Sequence, residues 1–335
     1  RALSDTAPRA VLPPAPMPDL VAPAGYLAKV CPLPGPEDAP LLIVRAPMGT
    51  GKTVAARDAV APLMAAGVPV LMPSHRQALG QAAAETIGLP WEPPPGSDQR
   101  QQGVACCWDS FCLDSRLRIN PDGWSGAALL VDEWMQAVEH LLMATGTAVG
   151  KRRASVLLTA GEVAARVRQL IALDAQMAAW GVRLLERLTG RRAFVIASEA
   201  RPMAGRQLHC PSGFGTAKQA AAAFRAKWAE LVADGAPFLC WVTAQRGRFR
   251  NAAQTLARLH RRRRPGARVL VIDSTTKEAA AQLAADPDGF AAQWDAIYCS
   301  PALTSGISFE TWKPAAVLAY AGGRIAPEHV AQAAA

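Results

Sequence analysis

The sequence predicts an α/β protein with parallel sheets in two domains, and three observations carry that prediction. Short apolar runs such as "LLIV" (41–44), "VPVLMP" (68–73), "ALLV" (128–131), "PFLCWV" (237–242) and "VLVI" (269–272) recur between segments of helical period, the rhythm of strand-helix-strand units. A glycine-bearing turn sits at one of the strand-to-helix junctions. At 335 residues the chain has room for about two domains, each with its own core.

Residues 1–37 read as a Pro/Ala-rich arm or linker, because "VLPPAPMPDLVAPAG" (11–25) suits neither a helix nor a central strand. The first residue is Arg1 and nothing near it resembles a signal peptide, so the chain reads as a piece of a longer protein. A first domain is expected over 38–188. It begins with the strand at Leu41, continues through the strand at 68–73 and a helix from Gln77 to Ile87, and adds a short strand in "GVACCWD" (103–109). Then come the strand "ALLV", helical periodicity over much of 136–168, the strand "RQLIALDAQ" (168–176) and a helix to about Leu188. A second domain is expected over 189–335, opening at "RRAFVIAS" (191–198). It should contain a helix at 216–235, a strand at 237–243, a helix at 250–264, a strand at 267–273 and the strand "WDAIYCS" (294–300).

The turn in "LLIVRAPMGTGKTVAARDAV" (41–60) has the chemistry of a phosphate site. At a strand-to-helix junction successive backbone N–H groups converge on an anion, and the helix N-terminus adds its partial positive charge. Gly49 and Gly51 allow close backbone approach, Lys52 supplies a point charge and the Thr53 hydroxyl can ligate Mg²⁺. Pro47, Met48, Gly49, Thr50, Gly51, Lys52 and Thr53 are the expected nucleotide-binding residues; Ala46 replaces the first glycine of the usual G-x-x-x-x-G-K-[ST] pattern. Asp132 and Glu133 follow directly on "ALLV", at the C-terminal end of a parallel strand, where open α/β sheets bind ligands. Asp132 is expected to hold Mg²⁺ with Thr53, and Glu133 to orient the attacking water; Lys52, Asp132 and Glu133 form the candidate catalytic set.

With both halves of a nucleotide site in order, the chain resembles superfamily 2 helicases, and among them the origin-binding helicases of herpesviruses and the plasmid replication proteins related to them. "RAPMGTGKT" (45–53) matches the first motif of that group, "VLMPSHRQAL" (70–79) resembles motif Ia, and "CCWDSF" (106–111) resembles the strand that follows. "LLVDEWMQAVEHLL" (129–142) resembles motif II, with Met135 where many relatives carry His or Asp; "LIALDAQMA" (170–178) resembles motif III, with Asp174 in place and Gln176 replacing a second Asp. "DAIYCSPALTSGISFE" (295–310) resembles motif V. The resemblance implies two RecA-like P-loop NTPase domains with ATP and Mg²⁺ in the cleft between them and Gly306 beside the nucleotide. It also implies nucleic-acid contacts from Ser74, His75, Arg76, Asp109, Ser110, Ser300, Thr304 and Ser305. The chain ends at "APEHVAQAAA", where motif VI would bring arginines to the γ-phosphate, so impaired hydrolysis is expected of this piece.

Composition narrows the partners. The net charge is +9 and unevenly placed: residues 1–188 carry 17 basic and 17 acidic side chains, residues 189–335 carry 19 and 10. A basic half suits a polyanion. "TAQRGRFRN" (243–251), with Thr243 and Arg246, is a candidate phosphate-backbone contact, while "LHRRRRPG" (259–266) reads as a solvated helix end with DNA contact as the alternative. The seven cysteines show no C-x-x-C spacing; reduced, buried thiols of a cytoplasmic protein are expected, with a zinc site at Cys107, Cys112, His209 and Cys210 as the alternative. Trp108, Trp134 and Trp241 read as packing residues, and no apolar run is long enough to span a membrane.

The expected activity is that of an ATP-dependent DNA helicase or translocase in replication initiation of a plasmid, phage or similar element. Its partners would be single-stranded or forked DNA, with RNA left open and other replication proteins as candidates. Two alternatives stay open: a nucleotide-gated DNA-binding module without unwinding, and a P-loop ATPase with a substrate other than nucleic acid.

Overall fold

The computed structural model describes residues 16–93, 103–112, 114–201, 216–243, 252–273, 275–300, 309 and 311–320. The chain divides into two compact units, 1–202 and 203–335. The first holds a seven-stranded sheet of β1 (Leu20–Ala22), β2 (Leu41–Arg45), β3 (Val70–Ser74), β4 (Val104–Cys107), β5 (Ala128–Asp132), β6 (Gln169–Asp174) and β7 (Phe194–Ser198). The spatial order is β1-β7-β2-β6-β5-β3-β4, and every pairing is parallel.

Its strands are apolar throughout because both faces are covered. Leu41 and Ile43 of β2 and Leu129 and Val131 of β5 join one core, with α4 (Trp134–Met143), α5 (Ala148–Arg166) and α6 (Ala179–Thr189) over it. Their neighbours Leu42, Val44, Ala128 and Leu130 join the other core, under α1 (Leu27–Val30), α2 (Lys52–Ala65) and α3 (Gln77–Ile87). The helical period over 136–168 is two helices rather than one. Gly146 turns the chain at φ 73°, and the Thr147 hydroxyl accepts from Gly150 N at 3.0 Å to start α5.

The second unit has four parallel strands, β8 (Phe238–Val242), β9 (Val269–Ile272), β10 (Ala296–Cys299) and β11 (Ala316–Tyr320), in the order β11-β8-β10-β9. One face, with Phe238, Cys240 and Tyr298, packs on α7 (Ala217–Asp234) and α8 (Ala253–Arg263). The other, with Trp241, Ile272 and Ile297, packs on α9 (Lys277–Ala285) and α10 (Pro287–Ala291). A capping box at Thr216 and Gln219 starts α7 and Gly235, at φ 82°, ends it.

Two boundaries differ from the sequence reading. "RRAFVIAS" does not open the second half: its strand β7 lies in the first sheet between β1 and β2. Nor are residues 16–37 a free arm. The prolines bar a central strand, so β1 takes the sheet's edge, where Asp19 N donates to Val195 O at 2.8 Å and Val195 N returns a bond to the Asp19 carboxylate at 2.9 Å. Leu27 is fully buried in the second of the two cores. Leu27→Ala is therefore expected to destabilise the first unit by about 2–5 kcal/mol. Urea unfolding followed by tryptophan fluorescence measures this; a free arm would leave the transition where it was.

Candidate nucleotide and nucleic-acid site

The C-terminal ends of β2, β5 and β6 converge. Beyond β2, Gly49 at φ 71° and Gly51 at φ 77° take left-handed conformations that a side chain resists, and α2 starts at Lys52. The Lys52 ammonium, almost fully buried, donates to the carbonyls of Ala46 at 2.9 Å and Pro47 at 3.3 Å, inside the concavity of the loop. The Thr50 hydroxyl donates to Pro47 O at 2.7 Å, closing the loop on itself. Met48 belongs to the same turn.

Thr53 and Asp132 meet across 79 residues of sequence, the Thr53 hydroxyl donating to an Asp132 carboxylate oxygen at 3.0 Å. The other Asp132 oxygen accepts from Glu133 N at 3.0 Å. Burial holds the Asp132 carboxyl above its ordinary pKa, against the opposing pulls of Lys52, the Thr53 hydroxyl and the Glu133 amide. A desolvated carboxylate touching a hydroxyl at the mouth of an anion-binding turn suits a hard cation such as Mg²⁺. Glu133 itself is left-handed, φ 54° and ψ 56°, and accepts from the Gln136 amide at 3.3 Å. Asp174, almost fully buried, accepts from Met135 N at 2.7 Å and Gln176 N at 2.6 Å, while its backbone carbonyl accepts from Ala46 N at 3.1 Å.

Of the residues expected to meet nucleic acid, those of the first unit lie along the same edge of its sheet. Ser74 ends β3, and its hydroxyl donates to Arg76 O at 3.0 Å. His75 stands 6.2 Å from the His140 ring. Burial lowers the Arg76 guanidinium pKa, with Glu133 and Glu139 acting against that shift. Asp109 and Ser110 form a 3₁₀ turn after β4, with Ser110 buried and Asp109 part-exposed. In the second unit Thr243 follows β8, its N–H donating to Tyr320 O at 3.2 Å, and the buried Ser300 follows β10, its N–H donating to Ile272 O at 3.0 Å. Arg246, Thr304, Ser305 and Gly306 lie outside the described residues, as do His209 and Cys210. The described cysteines are free thiols, and Trp108, Trp134 and Trp241 are buried.

Tyr26 was not legible as a site residue. Its ring packs against Gly51 so closely that a Cβ there would overlap it, and the N–H of Leu27 donates to Thr50 O at 2.7 Å. The proline-rich composition around it gave no signal of this contact.

No family model matches the sequence, and no curated protein matches it. Solved structures do. The chain is similar to a DEAD box protein from the hyperthermophile Methanococcus jannaschii, at 14% identity over 88% of this chain and 78% of that one, TM-score 0.44. It is similar to Mycobacterium smegmatis helicase Lhr bound to ssDNA and AMP-PNP, at 20% identity, 83% and 41% coverage and TM-score 0.49. It is also similar to a variant of S. cerevisiae Dbp5 bound to RNA and ADP BeF3, at 12% identity, 82% and 69% coverage and TM-score 0.52, and this match carries the architectural comparison. The likeness is one of fold alone, α/β domains built on parallel sheets. The two units are RecA-like domains, and the chain spans 41% of the length of the Lhr helicase.

Because the folded Asp132 carboxyl is raised above its unfolded value, its contribution to stability is present at low pH and is lost as pH rises through the folded pKa. In Asp132→Asn the amide can donate to Thr53 while its oxygen still accepts from Glu133 N. The ligand-free variant is expected to melt higher than the native chain at neutral pH and to lose this part of the acid-side stabilisation. Thermal melts across pH without nucleotide or Mg²⁺ measure both effects.

Proposed function

We propose that this chain is a nucleic-acid-dependent ATPase of the helicase type. The observation that carries the reading is the 3.0 Å contact of Thr53 with Asp132, which joins the phosphate loop to the acidic strand end in one site. Lys52 would leave the carbonyls of Ala46 and Pro47 for the β- and γ-phosphates, while N–H groups of the glycine turn take the remaining oxygens. Thr53 and Asp132 would hold Mg²⁺, which when bound neutralises phosphate charge. Glu133, oriented by Gln136, would take the proton of the attacking water.

The finer reading is a DNA helicase or translocase in replication initiation, of the origin-binding type. It is supported by motifs Ia, II and V, read at Ser74 to Arg76, Asp132 to Met135 and Ser300 to Gly306, and by the positive charge of the second half. Dbp5, of similar fold, is described with RNA and ADP BeF3, which supports a nucleotide and a nucleic acid as the two ligand classes. The described residues include no helix long and apolar enough to cross a membrane.

Hydrolysis of Mg-ATP should rise on adding single-stranded DNA. Lys52→Ala should weaken nucleotide binding, and Glu133→Gln should keep nucleotide binding while hydrolysis falls by about 10²- to 10⁴-fold. A phosphate-release assay with and without DNA, paired with binding of a fluorescent ATP analogue, measures these. Hydrolysis indifferent to both DNA and RNA would refute the motor reading.

A further inference from the structure

The arginine run at the C-terminal end of α8 is placed and held in a way that a merely solvated helix end does not require. In a parallel sheet all C-terminal strand ends share one edge, and in the second unit Thr243 and Ser300 lie there. Arg261 to Arg268 precede β9 and so lie at the opposite edge, with the exposed Lys313 before β11. Arg261, Arg262, Arg263, Arg264 and Arg268 are all exposed. Among the described residues only Arg268 of these five has a carboxylate in salt-bridge contact, Asp295 at 3.1 Å.

Three of the guanidinium groups nonetheless lie against the fold. Arg261 donates to Val269 O at 2.6 Å. Arg263 lies 4.8 Å above the centre of the Trp228 ring. Arg264 covers Gly235, so closely that a Cβ there would overlap its guanidinium. Holding long charged side chains costs rotamer entropy, and doing so with Asp295 as the one carboxylate near Arg264 and Arg268 among the described residues keeps like charges together. The helix dipole accounts for only part of the run: Arg261 to Arg263 sit in the last turn of α8, whereas Arg264 and Arg268 lie beyond its end at Arg263. The neighbouring α7 ends with no basic residue in its last turn.

We propose that Arg261 to Arg264, with Arg268 and Lys313, bind the phosphate backbone of a second stretch of nucleic acid, at the edge of the second unit opposite Thr243 and Ser300. Planar guanidinium forks on a ridge where positive charge outnumbers negative suit phosphate oxygens, which accept two N–H bonds from one guanidinium. Contact with phosphates alone gives affinity without sequence preference and makes it strongly salt-dependent. The proposal rests on the nucleic-acid reading above, and its test separates the two.

The full chain would be titrated, by fluorescence anisotropy over a salt series, into a labelled forked DNA and into a single strand of about ten nucleotides. The variants are Arg262→Gln/Arg263→Gln/Arg264→Gln and, to spare the packing on Trp228 and Gly235, Arg262→Glu alone. On the fork the triple variant should lower the slope of log affinity against log salt by about 2–3, at roughly 0.9 per lost phosphate contact. Arg262→Glu should weaken fork binding at low salt and lose that effect at high salt, and both variants should keep native binding of the short strand and of an ATP analogue. Folded variants with the native slope on the fork would overturn the ridge and leave the nucleic-acid reading intact. Equal loss on the short strand would overturn the separate segment. Poly-glutamate competing as well as DNA for the ridge would reassign it to an acidic protein, and a native chain that binds neither DNA would overturn both proposals.

Discussion

The buried carboxylate of Asp174 is the joint on which the first unit's site depends. One oxygen takes the amide of Met135 at the start of α4, the other takes that of Gln176, and the backbone carbonyl of the same residue takes the amide of Ala46. Three segments, the phosphate loop, the acidic strand end and the turn after β6, thus meet at one almost inaccessible residue. Burial raises the Asp174 carboxyl above its ordinary pKa, with Asp132 adding to the rise, while the two amides and Lys52 pull the other way. An unpaired carboxylate at that depth would be very costly, so the donors are a condition of the fold and not an ornament on it.

The turns around that joint are strained in a directed way. Gly49 and Gly51 meet the left-handed requirement without a Cβ, but Glu133 meets it with a full side chain, a conformation that costs of order 1–3 kcal/mol. Part of what holds Glu133 there is local: its amide donates to Asp132 and its carboxylate accepts from Gln136. The same twist starts α4 immediately beyond the strand, leaving the two acidic side chains at the sheet edge instead of one on each face of a continuing strand.

Most of this was legible. The strands of the first unit are buried on both faces, so their apolar runs declare themselves, and the phosphate loop and the acidic pair lie at strand ends, where local residues fix local geometry. What could not be read was set by distant partners. The strand at Phe194–Ser198 looks the same whether it opens a new sheet or completes an old one, and only its pairing with β2 decides between them. Leu20–Ala22 is too short and too proline-flanked to announce itself, yet the Asp19 bonds to Val195 hold it at the edge. The contact of Tyr26 with Gly51 follows from that edge strand and carries no local pattern of its own.

Topology also explains why the two candidate ligand sets of the first unit share an edge. The order β5-β3-β4 sets the loops after these parallel strands side by side, so residues distant in sequence face one another. Arg76 after β3 therefore feels Glu133 after β5, and His140 on α4 feels both Arg76 and Asp109 after β4. A phosphate arriving at Arg76 would draw on the guanidinium that faces the carboxylate assigned to the attacking water. In the function proposed above, coupling between strand contact and hydrolysis would need no long relay, because strand order sets Arg76 near Glu133.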